Sequence, residues 1–324
     1  MPIPSYLHCL ALPTPFPIGP VNVYLVEGEP LTLVDTGPKA GISRQALEAG
    51  LAALGYGVED LGRVIITHHH ADHMGLAAEI VARSGAEVWT HPYNFPWLAD
   101  YAAQQDCSRP FYGRIWDEAG VPAEIVALMN GANLDMLRWL DPVPADHALA
   151  EGQTIDLGGI PWCVFHTPGH AGGLVCLWDE TSRTLLANDH LIRDISSNPV
   201  LEPPATPDGD RPRRLVEYLH HMRRMAELEP EVALTGHGEP VTDVPGLVRQ
   251  RQAFHERRAD RLLDSLDGRA MSLWELTQLA FPRVERGIDR FLALSEVLAH
   301  LDLLELEGRA QAQMRDGRVL WLRR

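Results

Sequence analysis

The chain has 324 residues, of which 45% are hydrophobic, and it carries a formal net charge of −16 at pH 7. This length and composition suffice for one large domain with a buried core and a second, smaller one. The negative charge opposes long-range attraction of a polyanion, so a nucleic-acid substrate is not favoured.

The cysteines predict neither a disulfide framework nor a cysteine zinc site, because they are widely spaced and form no Cys-x-x-Cys pair. They are Cys9, Cys107, Cys163 and Cys176. Residues 1–5 lack a basic segment followed by a continuous apolar run, and no apolar stretch reaches the length that spans a bilayer. A cytoplasmic location without a membrane partner is therefore expected.

The most informative segment follows a predicted buried strand at 63–67 and leads into a helix predicted at about 74–84. Residues 67–73 read Thr-His-His-His-Ala-Asp-His and contain the pattern His-x-His-x-Asp-His. The candidate ligands are His68, His70, Asp72 and His73. Neutral imidazole nitrogen and carboxylate oxygen are the usual ligands of zinc and related divalent ions. The first two histidines project to one side by two-residue alternation and the last two residues lie where the helix begins, so one loop can serve two metals.

Residues 92–147 form a predicted helical insertion that is rich in aromatic side chains. These are Tyr93, Phe95, Trp97, Tyr101, Phe111, Tyr112, Trp116 and Trp139. We expect most of them to form the insertion's own small core. Because His91 leaves a strand on the same side as the metal loop, we expect some of them to roof the site and to select the substrate.

Further ligands must follow, since one loop cannot complete the coordination shell of a metal. Three later apolar runs, at 162–167, 184–187 and 232–235, each end in a short loop with a candidate. The candidates are His170, Asp189 with His190 beside it, and His237. Neighbouring glycines permit tight turns that bring a side chain close to an ion. Each residue alone is more often structural, but together with the first motif they supply what two metals need.

In this order and spacing the chain resembles the metallo-β-lactamase superfamily, over about residues 5–245. The resemblance implies a four-layer αββα sandwich of two mixed sheets with the metal site at one edge. It assigns the first metal to His68, His70 and His170, the second to Asp72, His73 and His237, and the bridging position to Asp189. Asp35, in the sequence Val34-Asp35-Thr36-Gly37, matches the residue that supports the metal loop in this family.

The chain departs from the family pattern at Asn188, where a glycine usually precedes the bridging Asp. Asn tolerates a left-handed backbone better than most residues, so we expect the site to be retained. We also expect the larger side chain to narrow the pocket.

Two divalent ions about 3.5–4 Å apart acidify a shared water and polarise a carbonyl or phosphoryl oxygen, so the predicted reaction is hydrolysis by a metal-bridging hydroxide. Zinc is the expected metal, with iron or manganese as alternatives. Asp72 is expected both to bind metal and to orient the hydroxide. His190 is a candidate donor to a substrate oxygen, and a supporting or packing role for it is equally open. His69 and His91 are expected to be structural, and His166 is given no role.

The C-terminal part differs in charge from the rest. Residues 249–324 carry 14 Arg against 12 Asp and Glu, a net of +2, whereas residues 1–248 carry 14 basic and 32 acidic residues, a net of −18. We therefore predict a catalytic domain at 1–245 and a separate domain at 246–324.

The elements predicted for this part are helices at 246–266, 272–280 and 288–303, followed by a β-hairpin. Ser272 and Glu275 fit a capping box. The hairpin is expected from 304–306 and 318–322, around Asp316-Gly317. Helices followed by a hairpin are similar to the winged-helix extension of some hydrolases with the metallo-β-lactamase fold. We favour a packing or dimerising role for it over nucleic-acid binding.

Three functions stay open at this point. Hydrolysis of a small ester, thioester, lactone or related acyl compound is favoured by the acidic catalytic part and the aromatic insertion. A single-strand endoribonuclease has the most similar architecture, but the charge balance and the lack of an arginine-aromatic stripe oppose it. The third is an iron-dependent oxidoreductase or a non-catalytic binding protein. The expected partner is a small-molecule substrate, and homo-oligomer formation is left open.

Overall fold

Two β-sheets lie face to face in the computed structural model, which describes residues 3–206 and 209–324. Residues 1–2, with which the predicted catalytic domain begins, and residues 207–208 lie outside this part. Within the described ranges, no helix is both long and apolar enough to cross a membrane.

The first sheet has six strands in sequential order and is mixed. Its strands are β1 (Leu7–Leu12), β2 (Val21–Val26), β3 (Thr32–Val34), β4 (Arg63–Ile66), β5 (Glu87–Thr90) and β6 (His147–Ala148). Strands β1 to β3 pair antiparallel, and β3 to β6 pair parallel. The segment predicted as one helix at about 74–84 is two: α2 (Ala71–Met74) and α3 (Ala77–Ser84), preceded in the chain by α1 (Gly41–Ala53).

The second sheet has five strands in the order β11-β10-β9-β8-β7. They are β7 (Thr154–Leu157), β8 (Ile160–His166), β9 (Val175–Asp179), β10 (Thr184–Asn188) and β11 (Val232–Thr235). Strands β7 to β10 pair antiparallel, and β10 pairs with β11 in parallel. The helices that follow β10 and β11 are α7 (Arg214–Glu227) and α8 (Val244–Ser265).

Three hydrophobic clusters define four layers. One lies between the first sheet and its helices and includes Leu33, Leu47 and Ile80. A second lies between the sheets, where Ile65 and Trp162 pack together. The third joins the second sheet to α7 and α8. The prediction of a four-layer αββα sandwich of two mixed sheets is therefore confirmed.

The insertion and the C-terminal part are mainly helical. The insertion contains α4 (Phe95–Ala99), α5 (Tyr101–Ala119) and α6 (Ala123–Met136). After α8 come β12 (Met271–Ser272), α9 (Leu273–Ala280), α10 (Gly287–Leu306), β13 (Ala310–Arg315) and β14 (Arg318–Arg323), with the strands in the order β12-β14-β13. The capping box is present, because Ser272 Oγ accepts from Glu275 N at 3.2 Å and Ser272 N donates to Glu275 Oε2 at 2.7 Å.

The hairpin prediction was half right. The turn at Asp316-Gly317 is present, and both residues have positive φ, 49° and 76°, as a two-residue type I′ turn requires. The first strand is wrong, because residues 304–306 continue α10 and the partner strand is β13. Leu301 and Leu304 are fully buried at helical spacing, so packing holds this leucine-rich segment in the helix until Gly308, where φ is 70°.

The insertion does not form a core of its own, so that expectation was wrong. Trp116 and Met129 of the insertion share one cluster with Leu294, Leu301 and other residues of the C-terminal part. The rings of Trp116 and Phe291 meet edge to face, 6.0 Å apart. A Cβ on Gly287 would overlap the carbonyl of Leu128, so α6 and α10 approach each other at backbone distance.

Helix α8 crosses the predicted domain boundary at residues 245 and 246. Its first turns, with Val244 and Val248, pack on the second sheet. Its last turns, with Ala259 and Leu262, pack in the cluster shared by the insertion and the C-terminal part. The division into domains 1–245 and 246–324, and the winged-helix assignment, stay predictions.

Trp116→Ala tests the shared core. Removal of this buried ring should lower the free energy of unfolding by about 3–5 kcal/mol, and it should increase hydrogen exchange in α10 as well as in α5. The measurement is urea unfolding combined with amide exchange. Trp139→Ala is the matched control, since Trp139 contacts Phe16 outside this cluster. Faster exchange confined to the insertion would contradict the shared core.

Candidate metal centre

Strands of both sheets end at one edge of the sandwich, and the candidate ligands follow them. The loop after β4 carries the first motif, whose last two members, Asp72 and His73, lie in α2. His170 follows β8 after a short loop, and Asp189 and His237 directly follow the parallel pair β10 and β11. Because parallel strands end at the same edge, two ligands that are distant in sequence come together.

One group of ligand atoms comes from three histidines. His70 Nδ1 lies 3.0 Å from both His68 Nε2 and His170 Nε2. Asp189 Oδ2 lies 3.5 Å from His170 Nε2. The three imidazoles together form a site that can hold a metal ion.

A second group lies on the other side of Asp189. Its Oδ1 is 3.4 Å from His73 Nε2 and 3.6 Å from His237 Nε2. Asp72 Oδ2 is 3.5 Å from His237 Nε2. Asp72, His73 and His237 form a further group that can hold a metal ion, and Asp189 presents one carboxylate oxygen to each group.

The second ring nitrogen of four of these imidazoles is bonded on its outer side. His73 Nδ1 lies 2.8 Å from Asp35 Oδ2, and His68 Nδ1 lies 3.1 Å from Thr67 Oγ1. The Nδ1 atoms of His170 and His237 lie 2.9 and 2.8 Å from the carbonyls of Asn198 and Pro20. Such outer partners fix the ring and leave the inner nitrogen as the ligand atom.

The charges at the centre suit bound cations. Burial lowers the pKa of His68 and His70 well below the ordinary value, and neighbouring imidazoles lower it further. Burial raises the pKa of Asp72, but His73 and His237 outweigh it and lower the pKa to about 2. The rings of His68 and His70 are therefore neutral, with a free electron pair for a metal, and the carboxylate of Asp72 is ionised, as metal ligands must be.

The carboxylates around His73 indicate that this part of the centre favours positive charge. Burial lowers its pKa, yet the carboxylates of Asp189, Asp35 and Asp72 raise it well above the ordinary value. Its Nε2 and Asp189 Oδ1 are both buried and have no hydrogen-bond partner among the residues that the structure describes. A buried polar atom without a partner costs free energy. A divalent cation would satisfy both atoms, so the residues fit a metal.

Asp35 holds the metal loop from behind. Its carboxylate is fully buried and accepts hydrogen bonds from Thr67 N and Thr67 Oγ1, both at 2.8 Å, in addition to its contact with His73. The backbone of Asp35 has a φ of 61°, a left-handed conformation that non-glycine residues rarely adopt. The family-based expectation that Asp35 supports the metal loop agrees with this placement.

Asn188 and Gly236 shape the floor around Asp189. Asn188 has a φ of 44°, the left-handed conformation that its residue type tolerates. It is fully buried and outside the lining of the cavity, so the expectation that it narrows the pocket was wrong. A Cβ on Gly236 would overlap Asp189 Oδ1, so only glycine permits the carboxylate to lie there.

Four other histidines, His69, His91, His166 and His190, differ in their surroundings. His190 is fully buried against Tyr218 and outside the cavity lining, a position that favours packing over donation to a substrate. His91 and His166 stack on each other with ring centroids 3.8 Å apart. His69 stacks on Trp97, which is a structural contact, and it also lines the cavity, where it could contact a substrate.

A cavity of about 690 Å³ opens above the two ligand groups. Trp97, Tyr101 and Tyr112 of the insertion line it, as expected if the insertion covers the site. Phe291 and Leu292 of α10 line it as well, so the C-terminal part forms one wall. The sequence did not indicate this wall, because helical spacing shows only which face of α10 is buried and not what covers it.

Sequence reasoning also missed the segment between β10 and α7. Residues 192, 195–198, 200 and 202 all line the cavity, and Glu202 is a buried acid there. The local sign is four spaced apolar residues, Ile192, Ile195, Val200 and Leu201, in a connection whose described residues form no strand or helix. Such residues indicate contact with a core, but they do not identify Glu202 as part of a site.

Asp35→Asn tests the supporting role. An amide cannot accept all three hydrogen bonds of the carboxylate, so metal affinity should fall by about 10–100-fold while the fold is retained. Metal binding is measured by competition with a chromogenic chelator. Asp60→Asn serves as control, because Asp60 is exposed and caps a distant turn. Equal affinity in the Asp35 variant and the wild type would refute the role.

Known proteins share this architecture. Residues 17–237 match the family model described as the metallo-beta-lactamase superfamily. The chain is 36% identical over 302 residues to a Bacillus subtilis (strain 168) protein named probable metallo-hydrolase YqjP, and the match covers 92% of each protein.

Two crystal structures extend the likeness to the C-terminal helices and hairpin. The metallo-beta-lactamase family protein TTHA1429 from Thermus thermophilus superposes with a TM-score of 0.82 at 32% identity, covering 98% of this chain and 99% of that one. A beta-lactamase domain protein from Burkholderia ambifaria shares the fold, with a TM-score of 0.83 at 24% identity over 100% and 94% of the two chains. The chain belongs to the metallo-β-lactamase superfamily and is a metal-dependent hydrolase.

Proposed function

We propose that this protein hydrolyses a small ester, thioester, lactone or related acyl substrate with two divalent metal ions, of which zinc is the first candidate and iron or manganese the alternatives. The observation that carries the proposal is the position of Asp189. Its two carboxylate oxygens face two separate groups of imidazole nitrogens, at 3.4–3.6 Å. A carboxylate placed in this way suits a bridge between two ions.

The ligand sets follow from this division. The first ion would be held by His68, His70, His170 and Asp189, and the second by Asp72, His73, His237 and Asp189. Imidazole and carboxylate ligands suit zinc, and they also accept iron and manganese. The identity of the metal is therefore a question for measurement on the purified protein.

Bound ions of this kind acidify a water and polarise a carbonyl oxygen, which are the two requirements of acyl hydrolysis. Asp72 lines the cavity, and its low pKa keeps the carboxylate ionised. One of its oxygens lies 3.5 Å from His237 Nε2 and the other 4.0 Å from His73 Nε2, so the carboxylate would bind metal and could orient an attacking water by accepting a hydrogen bond.

The lining of the cavity favours an acyl substrate. Ile18, Leu134 and Ile195 line it and are partly exposed to solvent, so apolar groups border the cavity. A hydrocarbon chain gains free energy by covering such groups. Binding pockets for small molecules commonly combine apolar walls with a few polar groups in this way.

The lining opposes the endoribonuclease alternative. Arg109 and Arg286 border the cavity, but each is paired with a carboxylate, Asp106 and Asp289, at 2.5 and 2.7 Å. The neighbouring carboxylates leave little net positive charge beside the cavity, whereas a single-strand channel combines a basic groove with stacking aromatics.

The first test combines metal analysis with a substrate panel. We expect about two zinc ions per chain, turnover of thioesters or lactones, and loss of that turnover with a chelator and its return with added metal. A short single-stranded RNA incubated with the same sample should stay intact. Chelator-sensitive cleavage of the RNA without acyl turnover would overturn the proposal.

Asp189→Ala tests the bridge. Loss of a ligand to both ions should reduce bound metal and turnover together, and turnover should fall by roughly a hundredfold or more, beyond the effect of losing an outer partner. Asp194→Ala is the control, because Asp194 lies five residues further on and is exposed. Full activity and full metal content in the Asp189 variant would exclude the two-metal assignment.

A further inference from the structure

A second polar feature lines the cavity beside the metal centre. Glu202 lies in the connection between β10 and α7 and is only 3% exposed. Burial of a carboxylate is costly unless each oxygen finds a partner. The contacts of the two oxygens of Glu202 therefore indicate whether this residue is purely structural.

The two oxygens differ in their contacts with charged groups. Glu202 Oε2 lies 2.6 Å from Nη2 of the buried Arg214. The contact found for Oε1 is His69 Nε2, at 3.5 Å, which exceeds the length of a normal hydrogen bond. Among the described residues, neither oxygen has a hydrogen bond of normal geometry, and Oε1 lacks an ion pair as close as that of Oε2.

His69 is held by a different partner. Asn94 Nδ2 donates to Thr90 Oγ1 and to the carbonyl of Gly173, both at 2.9 Å, so Asn94 Oδ1 is an acceptor. His69 Nδ1, 3.2 Å from Oδ1, therefore carries a hydrogen. His69 Nε2 stays 3.5 Å from Glu202 Oε1, so the ring makes no normal hydrogen bond with that oxygen.

The surroundings select the kind of donor. His69 stacks on Trp97 with ring centroids 4.6 Å apart, and Tyr101 packs edge-on to Trp97 at 5.1 Å. All three line the cavity together with Glu202, and we name these four residues the Glu202 subsite. Because the guanidinium of Arg214 lies beside the carboxylate, an ammonium group would meet a like charge there, so the subsite suits a neutral O–H or N–H group better.

We propose that Glu202 Oε1 accepts a hydrogen bond from a hydroxyl or amide N–H on the acyl part of the substrate. This rests on the proposed acyl hydrolase function and narrows it to acyl compounds that carry such a donor. The ring centroids of His69 and His70 are 5.3 Å apart, so the subsite adjoins the metal centre. The donor therefore lies within a few bonds of the scissile carbonyl, and Glu202 is a residue that determines specificity.

The test uses two substrates that differ by one hydroxyl, a straight-chain acyl thioester and its 3-hydroxy derivative. The metal-loaded wild type should prefer the hydroxylated substrate by about 10–100-fold in kcat/KM, the range of one hydrogen bond to a charged group. Glu202→Ala should bring the ratio of the two kcat/KM values close to one. Glu202→Gln, which keeps an oxygen acceptor without the charge, should give an intermediate ratio.

The matched control is Glu217→Gln. Glu217 also pairs with Arg214, at 2.8 Å, but it lies outside the cavity lining. It should retain the wild-type preference. If Glu202 only holds Arg214 in place, its replacement lowers both rates and leaves their ratio unchanged, and that result would overturn the proposal. A wild type without preference would do so as well.

A binding measurement separates this inference from the proposed function. Calorimetry on the metal-loaded protein compares a 3-hydroxy carboxylic acid with the plain acid of the same length. Tighter binding of the hydroxy acid that depends on Glu202, without turnover of any acyl substrate, would support the subsite and refute the hydrolytic function. Acyl turnover with equal binding of the two acids would refute the subsite alone.

Discussion

The carboxylate of Asp35 is the contact on which the metal centre depends. It accepts hydrogen bonds from the backbone and side chain of Thr67 and touches the outer nitrogen of His73, and so it fixes both ends of the metal loop. With these ends fixed, His68 and His70 belong to one ligand group, and Asp72 and His73 belong to the other. The strained backbone of Asp35 is the cost of this arrangement, which the surrounding sheet must offset.

The connection that follows Asp189 links this centre to the C-terminal part. The carbonyl of Asn198 lies 2.9 Å from His170 Nδ1, while Asn198 Nδ2 donates to the carbonyl of Leu292 in α10 at 3.0 Å. Ser196 Oγ lies 2.8 Å from His255 Nε2, in α8. Asn198 therefore orients the candidate ligand His170 and is also hydrogen-bonded to α10, which forms a wall of the cavity. The C-terminal part is therefore joined to the site by hydrogen bonds, in addition to its apolar core.

The sequence predicted the metal centre better than the cavity, for a physical reason. Metal chemistry restricts each ligand position to a few residue types, so residues 68–73 could be recognised as a pattern and the later Asp189 in combination with that pattern. The turn at Asp316-Gly317 was predictable for a similar reason, because few residues accept a positive φ. Residues 304–306 were misjudged since a short apolar run suits a strand or a helix, and only packing decides. Glu202 and Phe291 have no local signature, because their roles arise from contacts with distant segments.

The candidate ligands and the walls of the cavity come mostly from different segments of the chain. The ligand atoms lie at strand ends of the sandwich, where a small displacement would disturb both ligand groups. The walls come from the insertion, from α10 and from the connection that holds Glu202, and their lining side chains contribute no ligand atom. Substitutions at Trp97, Phe291 or Glu202 can therefore change the shape and polarity of the cavity while the metal chemistry is kept. Because α5, α6 and α10 share one closely packed core, we expect a change in one wall to be transmitted to the others, so that the walls would select the substrate together.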